Sequence, residues 1–305
     1  MSVPGMGQDC MLAADTSGGV VSLTRSFSSA TPVRLAPGVS VFVRAPHTLQ
    51  FGLDATRTGI IETPYATELA QLIDGTLAPI SPNQLTKSLQ SRIRAAPGAA
   101  ESLIADLLSY RILVPVVDRP VLVLGKTPLA AELKAQLAFS GVQVRVPYTP
   151  ETEPDFVVTA DQSAPLVLVD QLAHATQLAQ LVKYRSGPTA AVSLLDSRVL
   201  IGPLRTSAND PCQACVQQHL RDRDAGWDTA ATRLPGGPRS PDPVMVRAGA
   251  AAAAIFIRRV VGVLDPPGVS APHPVPGEFH VVDPFGPVPL TVHQLERHPD
   301  CPVCF

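Results

Sequence analysis

The sequence is short of charge and very short of lysine. Charged residues make up 16% of its 305 residues, and the formal net charge is −2. Lysine occurs only at Lys87, Lys126, Lys134 and Lys183, so the other positive charges are arginines. A chain that works on a phosphate backbone carries a basic surplus or stripe, and this balance argues against nucleic-acid binding. Long apolar runs are missing too. The longest, residues 248–257, is fenced by Arg247 and by Arg258 and Arg259, and it falls well short of the roughly 20 residues that span a bilayer. The first 15 residues have neither the basic start nor the apolar stretch of a signal peptide. The expectation is a cytoplasmic protein with no membrane segment. No G-X-Y period accompanies the 32 prolines, so they mark loops and helix starts rather than collagen.

What is present is apolar and globular in character. Hydrophobic residues are 45% of the chain, enough for a sizeable core. The length suits one large domain or two ordinary ones. Residues 1–30 are rich in Ser, Gly and Thr and read as a weakly ordered arm, with a short strand at 19–23 as an option. From Val39 the pattern sharpens. Val39, Val41 and Val43 alternate with polar or outward residues, and Leu49, Phe51 and Leu53 alternate again after Ala45-Pro46-His47, which reads as a hairpin with one buried face. A third strand is expected at 59–62. Three helices follow, at 64–74, from Ser81 onward, and at 99–110. The second opens on Ser81-Pro82-Asn83-Gln84, an N-cap, a proline and a capping-box glutamine. The third places Leu103, Ile104, Leu107 and Leu108 on one face. A strand at 112–117 closes an arrangement that looks like a winged helix.

Asp118-Arg119-Pro120 reads as a domain boundary. Beyond it apolar strands alternate with helices: Val121–Leu124, a helix at Pro128–Phe139 closed by Gly141, a strand through Val142, Val144 and Val146, and Leu166–Val169 delivering Asp170. A helix at 172–184, strands at 189–194 and Arg198–Ile201, an alanine-rich helix at 244–264 and a strand at 279–282 complete the pattern. Fully apolar strands of this kind predict a parallel sheet covered on both faces.

Four of the five cysteines fall in two pairs, Cys212-Gln213-Ala214-Cys215 and Cys301-Pro302-Val303-Cys304; Cys10 is left over. One C-x-x-C knuckle holds two thiolates close enough for one metal ion, and two knuckles complete a closed tetrahedral Zn²⁺ site. Such a site keeps no open position, so the metal would staple rather than catalyse. A redox pair, two disulfides and an iron–sulfur cluster are the alternatives the four thiols leave open. His219, Arg221, Arg223, Arg297 and His298 flank the knuckles, as donors to the sulfurs or as solvated charges.

The glycine-rich turn of a nucleotide-binding α/β domain is incomplete. After the strand at Val121–Leu124 the chain reads Gly125-Lys126-Thr127-Pro128-Leu129-Ala130. Only the first glycine of G-x-G-x-x-G stands, and the second strand ends without a carboxylate for a ribose. Nucleotide binding in the usual mode is therefore not expected. Asp170, at a strand end where such sheets bind ligands, is a candidate for Mg²⁺ or for capping the next helix.

The stretch from Gly202-Pro203-Leu204 through Asp210-Pro211-Cys212-Gln213-Ala214-Cys215 to His219-Leu220-Arg221-Asp222-Arg223-Asp224 and Trp227 resembles proteins related to ThiF and the ubiquitin-activating enzymes. More narrowly, it is similar to actinobacterial "bacteriocin biosynthesis cyclodehydratase" proteins, the leader-peptide-binding partners of YcaO enzymes. The terminal Cys301–Cys304 pair matches that family's second zinc knuckle, and the region 37–117 resembles its peptide clamp. The resemblance covers most of the chain beyond residue 30. It implies an α/β protein in three parts: the arm 1–30, a winged-helix-like α+β clamp at 31–118, and a ThiF-like Rossmann-type α/β domain at 119–305 with structural Zn²⁺ on Cys212, Cys215, Cys301 and Cys304. It implies a non-catalytic scaffold that binds a peptide and presents it to a YcaO-like enzyme for azoline formation. An ATP-dependent adenylyltransferase with a degenerate nucleotide loop is the alternative, and Asp170 is the one position matching that family's Mg²⁺ ligand. A Rossmann-type oxidoreductase and a zinc-ribbon nucleic-acid binder stand further back, and a homodimer is an open option. The expected peptide walls are a strand edge at Gly59, Ile60 and Ile61 and a helix face carrying Leu103, Leu107 and Tyr110. Strand addition at an exposed edge is the mode these would serve.

Overall fold

The computed structural model describes residues 31–148 and 153–304. The amino-terminal arm, with Cys10 and the strand expected at 19–23, lies outside the described residues.

The first hydrophobic core gathers residues from Val33 to Val114. Strand β1 (Val33–Leu35) pairs antiparallel with β5 (Leu113–Pro115), so the two ends of this region are tied together. Between them, β2 (Val41–Ala45), β3 (Thr48–Phe51) and β4 (Ile60–Glu62) form an antiparallel sheet with β4 at one edge. The short α1 (Ala55–Thr58) joins β3 to β4. Three longer helices follow: α2 (Ala66–Asp74), α3 (Pro82–Arg92) and α4 (Pro97–Ser109). The capping box is in place on α3. Gln84 N–H donates to Ser81 Oγ at 3.2 Å, and Ser81 N–H donates to Gln84 Oε1 at 3.3 Å. The four-residue spacing of Leu85 and Leu89 then turns both into the core, 1% exposed each.

The hairpin departs from simple alternation. Leu49 and Phe51 are buried, but Val43 is 40% exposed and Leu53 91% exposed. A bulge between Val43 and Ala45 shifts the register. Gly52, at φ +62°, turns the chain out of β3 before Leu53 is reached.

The second part is built on one seven-stranded sheet in the order β12-β11-β10-β9-β8-β6-β7. In chain order its elements are β6 (Val121–Leu124), α5 (Pro128–Phe139), β7 (Val144–Arg145), α6 (Glu153–Thr159), β8 (Leu166–Val169), α7 (Ala175–Leu181), β9 (Thr189–Leu195) and β10 (Arg198–Ile201). Then come α8 (Gln213–Arg223), α9 (Trp227–Arg233), α10 (Pro243–Val260), β11 (Glu278–Val282) and β12 (Leu290–Gln294). Every residue of β6 and β8 is buried, so both faces of the sheet are covered there. On one face α10 packs against α5 and β10. The approach is so close that a Cβ on Gly249 would lie 2.4 Å from a Val199 methyl. Ala250, Ala253 and Ala254 are buried along the same helix.

The sheet is mixed, which corrects the expectation of a parallel one. The pairs β7–β6, β6–β8 and β8–β9 are parallel; β9–β10, β10–β11 and β11–β12 are antiparallel. The switch comes at Asp196-Ser197, a two-residue turn with Asp196 at φ +50°. So short a link can only return the chain antiparallel. The helix expected at 172–184 is a 3₁₀ turn at Leu172–His174 followed by the shorter α7. Among the described residues, no helix is long and apolar enough to cross a membrane.

Candidate functional site

The two cysteine knuckles meet. Cys212 stands at the N-cap of α8 in extended conformation, and Cys215 lies in the helix's first turn. The second knuckle comes back from the end of the chain beside it. Cys212, Cys215 and Cys301 are buried and Cys304 is half-buried. The Sγ atoms of Cys212 and Cys215 are 4.0 Å apart, those of Cys212 and Cys301 3.7 Å, and Cys304 lies 3.5 Å from both Cys212 and Cys215. A tetrahedron with metal–sulfur bonds of about 2.3 Å has edges of about 3.8 Å. A disulfide would bring two sulfurs to about 2.05 Å, so these are free thiols around a common centre. The cluster can hold a metal ion such as zinc, and with protein on all four corners it has no open position.

The neighbourhood braces that geometry. Buried Arg205 donates through Nε to Ser207 O at 3.0 Å and through Nη2 to the carbonyls of Lys183 and Ala208, both at 3.3 Å. Asp210 accepts the N–H groups of Thr206 and Ser207 at 2.8 and 2.7 Å. The loop entering the first knuckle is thus fixed from both sides. The hydrogen bond between the two sulfurs holds the Cys215 thiol below the usual thiol range. The same bond, with burial, pushes Cys212 up. Burial pushes Cys304 up to about 12.

Of the flanking donors, His298 supports the site in two ways. Its backbone N–H bonds to the Cys215 sulfur, and its carbonyl accepts Cys301 N–H at 3.0 Å. Its ring lies 2.8 Å from Asp222 Oδ2 through Nε2, while Nδ1 accepts Asp300 N–H at 3.1 Å. Asp300's donor therefore sets the ring as the Nε2–H tautomer. His219, Asp222 and His298 come within 4.8 Å of one another, but that tautomer points a proton at Asp222 and makes the ring a strut between α8 and the second knuckle. Arg221 pairs with Asp228 at 2.8 Å.

The crevice at the carboxyl ends of β6 and β8 is arranged differently. Gly125, at φ +132°, keeps the turn after β6 so close to β8 that a Cβ would lie 2.6 Å from Val169 O. Asp170 is 3% exposed, with φ +52°. One of its carboxylate oxygens accepts the Thr127 hydroxyl; the other accepts Leu194 N–H at 2.7 Å. Asp170 therefore ties β8 to β9 and to the turn after β6, and it does not cap the following helix. Burial pushes its pKa up to about 6, with the Thr127 and Leu194 bonds opposing. Lys134 reaches back from α5 to Gly125 O at 3.2 Å. The segment Leu234-Pro235-Gly236-Gly237-Pro238 lies over the same place. A Cβ on Gly236 would sit 3.2 Å from the Thr127 methyl, and one on Gly237 would sit 2.9 Å from Leu194 O and 4.0 Å from Asp170 Oδ1. Sequence reasoning did not place Lys134 or this segment here. The Pro-Gly-Gly-Pro run was the available signal for a tight turn.

The expected peptide walls separate on burial. Gly59 ends α1 at φ +94° with open space where a Cβ would stand. Ile60 is 42% exposed, whereas Ile61 packs against the first core. Leu107 is 4% exposed and belongs to that core, Leu103 packs partly buried against it, and Tyr110 at the end of α4 is 66% exposed. Phe51 N–H bonds to Gly59 O, and Thr63 N–H bonds to His47 O. By the two-residue period, the backbone groups of Ile60 and Glu62 then point away from β3, toward the open edge of β4.

No family model matches the sequence, and no curated protein matches it. Solved structures do match its fold. A heterocyclase in complex with substrate and cofactor is 16% identical at a TM-score of 0.54, over 90% of this chain and 39% of that one. The heterocyclase TruD is 18% identical at 0.52, over 90% of this chain and 43% of its own. E. coli MccB with ATP is 11% identical at 0.47, over 90% of this chain and 100% of that one. The chain thus spans about two fifths of the length of the solved heterocyclases it matches. Over that stretch it shares the mixed α/β fold of those heterocyclases, in line with its resemblance to cyclodehydratase-type proteins.

Proposed function

We propose that this chain is a non-catalytic scaffold of azoline-forming peptide modification: it takes up a precursor peptide and presents it to a YcaO-like partner enzyme. In this reading residues 31–118 are a winged-helix-like clamp, and residues 119–305 are a ThiF-like unit stapled by Zn²⁺ on Cys212, Cys215, Cys301 and Cys304. The observation that carries the reading is the shared fold with heterocyclases about twice as long. A partner enzyme would supply what the remaining length supplies there. The crevice that would serve an ATP-using relative supports the non-catalytic half, because Asp170 spends both oxygens on Thr127 and Leu194.

The peptide would add as a strand to the edge of β4, pairing with the outward groups of Ile60 and Glu62 and lying over the Ile60 side chain. Leu107 would support the wall from inside, and Tyr110 would bound it from the end of α4.

Two measurements test this. Amide exchange with the leader segment of a precursor peptide from the same gene neighbourhood should slow residues 58–62. Ile60→Pro removes one outward N–H from an edge strand, where proline is tolerated, and should weaken that peptide at least about tenfold. Protection confined to the zinc-bearing part would refute the clamp. ATP–pyrophosphate exchange by the purified chain would refute the non-catalytic reading and favour the adenylyltransferase.

A further inference from the structure

The crevice between the two cores is lined by arginines whose charge is incompletely matched. It runs from Arg34 on β1 and Val116 after β5 to Ser140 and Gly141 at the end of α5 and to Arg258 on the last turn of α10. Its free volume is about 30 Å³, room for a couple of waters or one small oxyanion.

Arg34 is seated there deliberately. Its Nη2 donates to Ser140 O at 3.3 Å, at the negative end of the α5 dipole. Gly141 makes the seat, because a Cβ at that position would lie 2.9 Å from Nη2. Arg34 Nε is closed off by packing, with no hydrogen-bond partner among the described residues. Arg258 shares the crevice. Burial holds its guanidinium below the usual range, Asp265 opposes that, and the charge of Arg34 adds to it. Asp265 is the one acid among the lining residues, and both its oxygens accept Arg259 Nε, at 3.1 and 3.0 Å. Helix capping accounts for Arg34 Nη2. It leaves the approach of a second guanidinium to the same crevice unexplained.

We propose that this crevice binds an oxyanion, a phosphate or carboxylate group, held between Arg34 and Arg258 at the junction of the two cores. Two guanidiniums offer the planar, multiple donors that such groups accept. Because the walls come from both cores, the bound group would fasten them to each other.

The test uses the full chain with inorganic phosphate and with acetate, each at constant ionic strength set by chloride, read by calorimetry and by thermal melting. One or both should bind with one ion per chain and raise Tm. Binding of phosphate alone assigns a phosphate group, and acetate binding at least as tightly assigns a carboxylate. Arg258→Gln should weaken that binding at least about tenfold, the worth of a charge-assisted hydrogen bond, while the Tm without either anion stays close to wild type. Arg34→Gln should weaken binding likewise, and it should also lower the Tm without anion because the bond to Ser140 O is lost. If it fails to fold, Arg258→Gln decides alone. No binding of either anion below about 10 mM, a ΔG weaker than about −3 kcal/mol, overturns the proposal. So does binding that Arg258→Gln leaves unchanged.

Discussion

Two places in the α/β part bring distant polar residues together, and they differ in what their atoms have left to give. At the knuckles, four sulfurs converge from the beginning of α8 and the end of the chain, at separations of 3.5–4.0 Å. Among the described residues they meet one another and a few backbone groups, so their valence is aimed at a shared centre. In the crevice, Gly125, Thr127, Lys134, Asp170 and the Gly236-Gly237 turn also converge, but both Asp170 oxygens, the Thr127 hydroxyl and one donor of Lys134 are already engaged by neighbours. Convergence alone does not make a site. Unspent donors and acceptors facing one point do.

The strongest way to break the comparison is at the metal. One Zn²⁺ per chain is expected by elemental analysis. Removing residues 301–305 takes away half the ligand set, and Cys212→Ala takes a quarter. Structural zinc is worth about 10–16 kcal/mol in small zinc-binding domains at neutral pH, and that energy is folding energy. Either change should cost several kcal/mol and unfold at least the region around α8, seen as lost helical signal and early melting. Substoichiometric zinc in carefully prepared protein, or a disulfide within either pair, would remove the contrast between the sites.

The next effect lies at Gly125. If that glycine is kept to let the turn after β6 pass β8, and not to admit a phosphate, Gly125→Ala should destabilise whether or not any nucleotide is present. The substitution meets Val169 O at 2.6 Å and a φ of +132°. Strain and overlap together are worth about 3–4 kcal/mol, measurable by urea unfolding. A cost below about 1 kcal/mol would mean that the turn has room to move.

How far these features are legible in the sequence follows from the same contrast. The strands β6, β8 and β9 and the helices α3 and α5 announce themselves, because their burial rests on Leu and Val at the right period and on Ser81 or Pro128 at the start. The pairing of the cysteines was legible because C-x-x-C spacing brings two thiols together locally, and the structure brings the two pairs to one centre. Helix α8 was not, because its buried positions are Ala214, Cys215 and Gln217 rather than large apolar residues. Strand β12 is an edge whose Leu290 and Val292 stay 42% and 57% exposed, so its pattern marks no core. The closure of the crevice could not be read at all: Lys134, Gly236 and Gly237 become its neighbours only through the fold.

A smaller effect belongs to Asp170. Its folded pKa of about 6 stands above the ordinary aspartate value of 3.8, so between those values the folded chain holds more proton than the unfolded one. Stability from this group is fully present below pH 3.8 and is lost as pH rises through 6. A shift of that size corresponds to about 2–3 kcal/mol. Asp170→Asn keeps an acceptor for Leu194 N–H and can donate to Thr127 Oγ. It should therefore flatten the stability profile across that window and raise stability at pH 7 relative to wild type. An unchanged profile would mean that the carboxylate is better solvated than its burial implies, and the crevice would no longer count as spent.

The smallest effect sharpens the comparison at its other end, because it asks whether the knuckles are held by metal alone. Asp222 fixes the His298 ring at 2.8 Å, and His298 in turn gives its backbone N–H to the Cys215 sulfur and its carbonyl to Cys301 N–H. The Asp222 side chain is 63% exposed while that of His298 is 6% exposed, so water screens the pair and its direct worth is about 0.5–1 kcal/mol. Asp222→Asn should therefore lower Tm by only a few degrees. Its effect on zinc should be larger in proportion, since residues that orient metal ligands change affinity by about 10–100-fold. Competition with a chelator, followed by the rate of zinc release, separates the two quantities. Faster release at nearly unchanged Tm identifies the strut as part of the metal site. Equal small losses in both would leave His298 as packing, and the four sulfurs would hold their geometry without it.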